Sequence, residues 1–324
     1  MPIVSVDGIS PLLTKDNIEF RALSYTMRIG YPCINRSIGC RGDRTFRLAS
    51  YSDERFRSSV EGNLACLKRI LTWNADYGFL FFRISSDLIP FASHPVCRVP
   101  WQDLFRREFS EIGDFIRREQ IRISMHPDQF IILNTPDPAI VRRSVAELSY
   151  HAEVLDLMGL DRSAKIQLHI GGLYGNREEG MKRFVEQYNR LNHQIRRRLV
   201  IEHDENRYSA SDCLKIHKIT GVPVVFDLFH HTCFNHGEQV PEIIYAAGET
   251  WAAGDGLPMV DYSSQHPLKR TGSHADHIDP DHFSEFLEIS KPFDFDLMLE
   301  IKDKEESAII AKGIAQRDPR FIGS

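Results

Sequence analysis

Residues 198–231 read RLVIEHDENRYSASDCLKIHKITGVPVVFDLFHH. Two short apolar runs, 198–202 and 223–228, have strand character, being rich in Val, Ile and Phe. Between them Ser209 can cap a helix over about 209–220. The unit is strand–helix–strand, which predicts two parallel strands joined by a helical crossover. Each strand closes on a carboxylate. Glu202 ends the first, with Asp204 and Glu205 behind it; Asp227 ends the second, with His230 and His231 following.

The same rhythm continues outward in both directions. Strand-like runs recur at 25–30, 79–84, 121–125, 165–170, 257–262 and 295–301. Helices are expected over 53–74, 102–119, 137–158, 177–196, 240–252, 280–289 and 305–314. Asp137-Pro138 and Asp279-Pro280 supply a cap and a first-turn proline for two of them. Eight strands alternating with eight helices predict a closed (β/α)8 TIM barrel, and 324 residues suit one such domain with insertions. The alternative is a doubly wound open sheet, which the missing Gly-rich phosphate turn after the first strand weakens. One catalytic domain over 25–324 is expected, with 1–24 a leader packed outside it or across its bottom.

Composition bounds the class. A hydrophobic fraction of 42% and a charged fraction of 26% are ordinary for a globular chain. The formal net charge of −5 argues against a non-specific coat on nucleic acid, though a local basic patch can still bind it. The N-terminal stretch has no basic segment followed by an apolar core, and no apolar run reaches the ~20 residues of a membrane span, so the chain is expected in the cytoplasm, associated with the nucleoid. The six cysteines form no CxxC pair and suggest no disulfide framework, which reads as a reducing compartment without a thiolate zinc site.

The strand ends carry the chemistry. His126 ends the third strand, His169 the fourth, Glu202 the fifth, Asp227 the sixth, Asp261 the seventh and Glu300 the eighth, with His230 and His274 in loops that follow. In a barrel these ends converge on one face. One such residue alone is ordinarily a satisfied hydrogen-bonding group. Six in series form one ring, and its four carboxylates repel one another unless cations sit among them. Imidazole with carboxylate and no thiolate suits zinc, manganese or non-haem iron, and the number of carboxylates is enough for more than one ion.

Two loops are candidates for contact with DNA. The segment after the first strand carries Arg28, Tyr31, Asn35, Arg36, Arg41, Arg44 and Arg47 against one nearby acid, Asp43. It reads either as a solvated loop or as a phosphate-contacting rim with an aromatic probe. After the third strand, Pro127 fixes the loop that holds Gln129 and Phe130. Phe130 is either a wedge against a displaced base or a cover for the core. Lys269 and Arg270 can add phosphate contacts. The arginine pairs and triplet at 106–107, 117–118, 142–143 and 196–198 read as solvated helix faces.

The segments RIGYPCIN (28–35), FRISSDLIPFASH (82–94), SMHPDQF (124–130), LHIGG (168–172), VIEHDE (200–205), FDLFHH (226–231), HADHI (274–278) and LMLEIKDKE (297–305) resemble, in order, those of the UV damage endonuclease family. The resemblance implies a barrel similar to that of endonuclease IV. It also implies two or three divalent ions, manganese foremost, with zinc, cobalt and magnesium as the others. The implied substrate is double-stranded DNA, nicked immediately 5′ to cyclobutane dimers and (6-4) photoproducts and often at abasic sites, with no obligate protein partner. By motif, the implied ligands are His126, His169, Glu202, Asp227, His230, His274 and Glu300, with His94 near the ions and Tyr31, Gln129 and Phe130 probing the damaged pair. The chain departs from some members by Phe130 for Tyr, and by Met259 and Asp261 for a Lys and a His, so that Asp261 would ligate as a carboxylate. Glu202, expected to bridge two ions, His94 and Asp261 are the residues expected to take part in catalysis. The competing readings are an abasic-site endonuclease, a metal-dependent sugar isomerase, and a damage-binding protein without chemistry.

Overall fold

The computed structural model describes residues 26–323, so the leader expected over 1–24 lies outside the described residues. Eight strands run β1 Ile29–Pro32, β2 Phe81–Ile84, β3 Arg122–Met125, β4 Lys165–His169, β5 Leu199–Glu202, β6 Val224–Asp227, β7 Met259–Tyr262 and β8 Asp296–Leu299. All pair in parallel with their sequence neighbours, and β1 pairs with β8 to close the barrel. Around it lie α1 Asp53–Asp76, α2 Trp101–Leu104, α3 Arg106–Arg118, α4 Pro138–Leu157, α5 Arg177–Arg190 and α6 His193–Arg196. The ring is completed by α7 Ala210–Thr220, α8 Leu228–Cys233, α9 Val240–Gly248, α10 Pro280–Ile289 and α11 Glu305–Ala315. No helix among the described residues is long and apolar enough to cross a membrane.

The expected caps form. The Asp137 and Asp279 side chains accept from Ala139 and His282 backbone N–H groups, and Ser209 and Asp212 make a capping box. Three features were not legible in the pattern. The helices expected over 102–119 and 177–196 are each broken in two, at Phe105 and at Leu191-Asn192. Helix α8 follows β6 directly, its N-cap Asp227 accepting from His230 N at 2.6 Å.

Side chains alternate along each strand. On β5 to β8 the residues Val200, Val225, Met259 and Met298 meet Phe81 of β2 in a small cluster, while Leu199, Ile201, Phe226, Val260 and Leu297 join the larger core against the helices. The small cluster fills the barrel as an apolar layer, and the next residue of like parity on each strand stands above it at the C-terminal mouth. Close packing requires Gly30: a Cβ there would lie 1.9 Å from Phe81 O.

Three expectations are corrected. Strand β1 runs 29–32, not 25–30, which puts Tyr31 inside the strand on its outward face. Arg198 is no solvated helix residue. It is buried just before β5, where it donates to Asp156 and to the carbonyls of Leu160, Asp161 and Ala164. Cys40 and Cys66 form a disulfide with Cα atoms 5.8 Å apart. Their separation of 26 residues, from the β1–α1 loop to the second half of α1, gives no spacing signal. The reading of a reducing compartment from cysteine usage therefore loses its support.

Candidate metal centre and DNA-facing mouth

Glu202, fully buried at the end of β5, is the hub. His126 Nε2 lies 3.1 Å and His169 Nε2 3.5 Å from its Oε2, and His230 Nδ1 lies 2.9 Å from its Oε1. Three groups of donor atoms converge closely enough to hold an ion: His126, His169 and Glu202; Glu202, Asp227 and His230; and Asp227, Asp261 and Glu300. Glu202 belongs to the first two and Asp227 to the last two. His274 stands beside them, its Nε2 3.9 Å from Glu300 Oε2.

The imidazoles are oriented from behind. Nδ1 of His126, His230 and His274 lies 2.9–3.1 Å from the carbonyls of Pro127, His203 and Glu300. A carbonyl only accepts, so Nδ1 carries the proton in each, leaving Nε2 of His126 and His274 a free lone pair, whereas His230 has the same Nδ1 beside Glu202 Oε1 and its neighbouring carboxylates favour the protonated ring. His203 also takes the Asp227 backbone N–H on its own Nε2 at 3.0 Å. Three buried polar atoms of the cluster, Glu202 Oε1, Asp227 Oδ2 and His169 Nδ1, have no hydrogen-bond partner. Buried polar atoms are ordinarily paired, and an electron-rich set left open among carboxylates fits a cation.

The electrostatics agree with the geometry. Burial pushes the Glu202 carboxyl up, but His169, His126 and His230 outweigh it and hold the group well below its ordinary range. Burial raises Asp227 to about 6, because His230 offsets only part of the cost and Glu202 and Glu300 add to it.

Arg83 and Gln167 complete the floor of the mouth, and sequence reasoning missed both. Arg83, 3% exposed on β2, donates through Nη2 to Asp261 at 2.8 and 3.0 Å and to Gln167 Oε1 at 2.9 Å, and through Nη1 to Glu300. Burial disfavours its charge, yet Asp261 and Glu300 keep the guanidinium protonated. Gln167 donates to Glu202 Oε2 at 2.7 Å and to Asp261 Oδ2 at 2.6 Å. The carboxylate ring thus contains a protein cation, which the expectation of repulsion did not consider. The available signal was parity: Arg83 and Gln167 share the inward phase of their strands with Phe81 and His169.

The expected DNA-contacting residues divide. Gln129 and Phe130 stand exposed after β3, Phe130 at 72%. Arg36, Lys269 and Arg270 are exposed on the β1 and β7 loops. Beside the last two, Leu268 is 90% exposed, a second apolar tip that was overlooked. Tyr31 and Asn35 are buried and cannot probe a base pair. The Tyr31 hydroxyl donates to Asn74 and accepts from Asn35 at 2.8 Å, with its ring edge-on to Trp73, Phe79 and Phe82. His94 joins none of the three donor groups. It is exposed, its Nδ1 accepting from Val96 N, and it lines a rim cavity of about 450 Å³ with Phe130 and Glu147. Asp204 accepts three backbone N–H groups of its own turn, from Asn206, Arg207 and Tyr208, and so acts as a turn cap.

Fold and site together define a (β/α)8 barrel with a His/carboxylate candidate metal centre at its C-terminal mouth. Endonuclease IV from Thermus thermophilus shares the fold, at 14% identity over 89% of this chain and 98% of that one, with a TM-score of 0.55. A family model described as UV-endonuclease UvdE matches residues 27–312. The UV DNA damage endonuclease of Clostridium perfringens is 38% identical over 285 residues, 87% of this chain and 69% of the relative. That of Bacillus cereus strain ATCC 10987 is 32% identical over 289 residues, 86% and 91% of the two chains. The crystal structure of SacUVDE superposes with a TM-score of 0.86 at 44% identity, covering 90% of this chain and 98% of that one. The chain belongs to the UV-endonuclease UvdE family, and its activity is that of an endonuclease on DNA.

Proposed function

We propose that the chain hydrolyses the phosphodiester immediately 5′ to cyclobutane pyrimidine dimers and (6-4) photoproducts, and also nicks at abasic sites, using divalent ions held at the barrel mouth. The observation that carries this reading is the position of Glu202, whose carboxylate serves both the His126–His169 and the Asp227–His230 donor groups. Imidazole nitrogens and carboxylate oxygens without thiolate suit manganese, zinc and iron alike, and the family resemblance puts manganese first. Bound there, such ions supply Lewis-acid polarisation of the scissile phosphate and a charge sink for its developing negative charge.

The remaining tasks belong to the side chains. His126 and His274 present Nε2 with its lone pair already fixed, which removes an ordering cost at binding. Arg36, Lys269 and Arg270 on the rim offer phosphate contacts that set register without reading sequence. Exposed Phe130 and Gln129 are suited to fill or flank the space left by an extruded damaged pair. A photoproduct is already weakly stacked and paired, so extrusion costs less there than at an intact step. Selectivity then follows from deformability and not from base identity.

Duplex oligonucleotides with one thymine dimer, one (6-4) photoproduct, one abasic analogue or no lesion test this reading directly. With end-labelled strands and Mn²⁺, the expected product ends at the nucleotide 5′ to each photoproduct. Nicking at the abasic analogue alone would favour the abasic-site reading and contradict the photoproduct assignment.

A further inference from the structure

We infer that Arg83 takes the place of a third ion, so that the chain holds two divalent ions, in the two donor groups that share Glu202, and none within the Asp227–Asp261–Glu300 group. The inference rests on the metal reading above and concerns how this chain divides its carboxylates between ions and a guanidinium.

The groups differ in what their atoms already touch. The two that contain Glu202 include the unpartnered Glu202 Oε1 and His169 Nδ1, while the open Asp227 Oδ2 is common to the second and the third. In the third, Asp261 Oδ1 takes Arg83 Nη2 at 3.0 Å, and Oδ2 takes both Arg83 Nη2 at 2.8 Å and Gln167 Nε2 at 2.6 Å. Glu300 Oε1 takes Arg83 Nη1. A carboxylate oxygen with two such bonds has no lone pair left for a metal. An arginine does not lose its proton in a protein, so it stays a cation in that position. An ion taking both Asp261 and Glu300 would displace the guanidinium and leave its buried charge with only the neutral Gln167 Oε1 as acceptor. No second carboxylate on β7 replaces Asp261 as an acceptor for Arg83. The inward residue one layer below on β7 is Met259, a thioether packed among Phe81, Val200, Val225 and Met298. Counting formal charge, two divalent ions and Arg83 against the carboxylates of Glu202, Asp227, Asp261 and Glu300 leave roughly one positive charge for a phosphodiester anion, whereas three ions would leave roughly three in a buried site.

The test is a count of ions. Purified wild-type chain and the D261N and R83M variants are loaded with Mn²⁺, desalted and measured by elemental mass spectrometry, with calorimetric titration as a second count and circular dichroism as a fold control. The expected result is two ions in wild type, two in D261N, and three in a folded R83M. Three ions in wild type, the loss of an ion in D261N, or an unchanged count in folded R83M would overturn the inference. Should R83M fail to fold, wild type and D261N decide between the outcomes. No bound ion in wild type would instead overturn the metal reading on which the inference depends.

Discussion

Nε2 of His126 stands 3.1 Å from Oε2 of Glu202, bringing the ends of β3 and β5 together across the barrel mouth. Because the His126 Nδ1 proton is committed to Pro127 O, this contact is lone pair against carboxylate unless a proton or a cation sits between them. His274 repeats the arrangement at longer range: its Nδ1 proton is committed to Glu300 O, and its Nε2 faces the Glu300 carboxylate. The cluster is built to be filled by a positive charge.

Phe130 is 72% exposed on the loop that follows β3. Stacking of a base on an aromatic ring contributes about 1–3 kcal/mol. Phe130→Ala should therefore lower kcat/KM on a dimer-containing duplex by roughly 5- to 150-fold, with the melting temperature unchanged. Nicking kinetics on one defined dimer substrate check this.

Tyr31 is the opposite case. It is buried, and its hydroxyl serves Asn74 and Asn35. Tyr31→Phe should leave nicking within about twofold of wild type while lowering stability by about 1–3 kcal/mol, since two buried amides lose a partner. Denaturant unfolding alongside the nicking assay separates the two effects.

That contrast shows how the sequence could be read. Barrel topology, helix caps and the strand ends that carry histidine or carboxylate were legible because alternation and capping are local signals. The parity of β1 was not, because the chain continues as a strand two residues past the end of its apolar run. Tyr31 and Asn35 therefore changed from mouth to core. Arg83, Gln167 and His203 escaped notice for another reason. Their roles are set by partners 84, 94 and 24 residues away in sequence, which only barrel closure brings together. Cys40 and Cys66 likewise meet only once the β1–α1 loop folds back on α1.

Metal binding should weaken in acid. In the ion-free chain burial sets Asp227 at about 6, above its ordinary 3.8, so the group gains a proton as pH falls through 6. A cation must then displace that proton, and apparent affinity drops up to tenfold per pH unit for each proton released. The sign for the ion-free fold is the reverse: with its pKa raised, the carboxyl destabilises that fold above pH 6, and protonation relieves this. Adding Mn²⁺ should thus raise the melting temperature strongly at pH 7.5 and little at pH 5, and Asp227→Asn should flatten that difference.

The Cys40–Cys66 bond closes a loop across a separation of 26 residues that includes the exposed Arg41 and Arg44. A cross-link of that span contributes about 3 kcal/mol in the chain-entropy description. Cys40→Ser, or reduction of the wild type, should lower the melting temperature by several degrees. Calorimetry with and without reductant reads this directly.

On the proposed reading one carboxylate, Glu202, organises the centre that cuts damaged DNA. Nicking of UV-irradiated supercoiled plasmid by Glu202→Gln across a Mn²⁺ titration tests it most directly. The expected result is a loss of at least about a thousandfold, roughly 4 kcal/mol in the barrier, at every metal concentration, in a variant that remains folded. Nicking by Glu202→Gln at the wild-type rate with Mn²⁺ would contradict it.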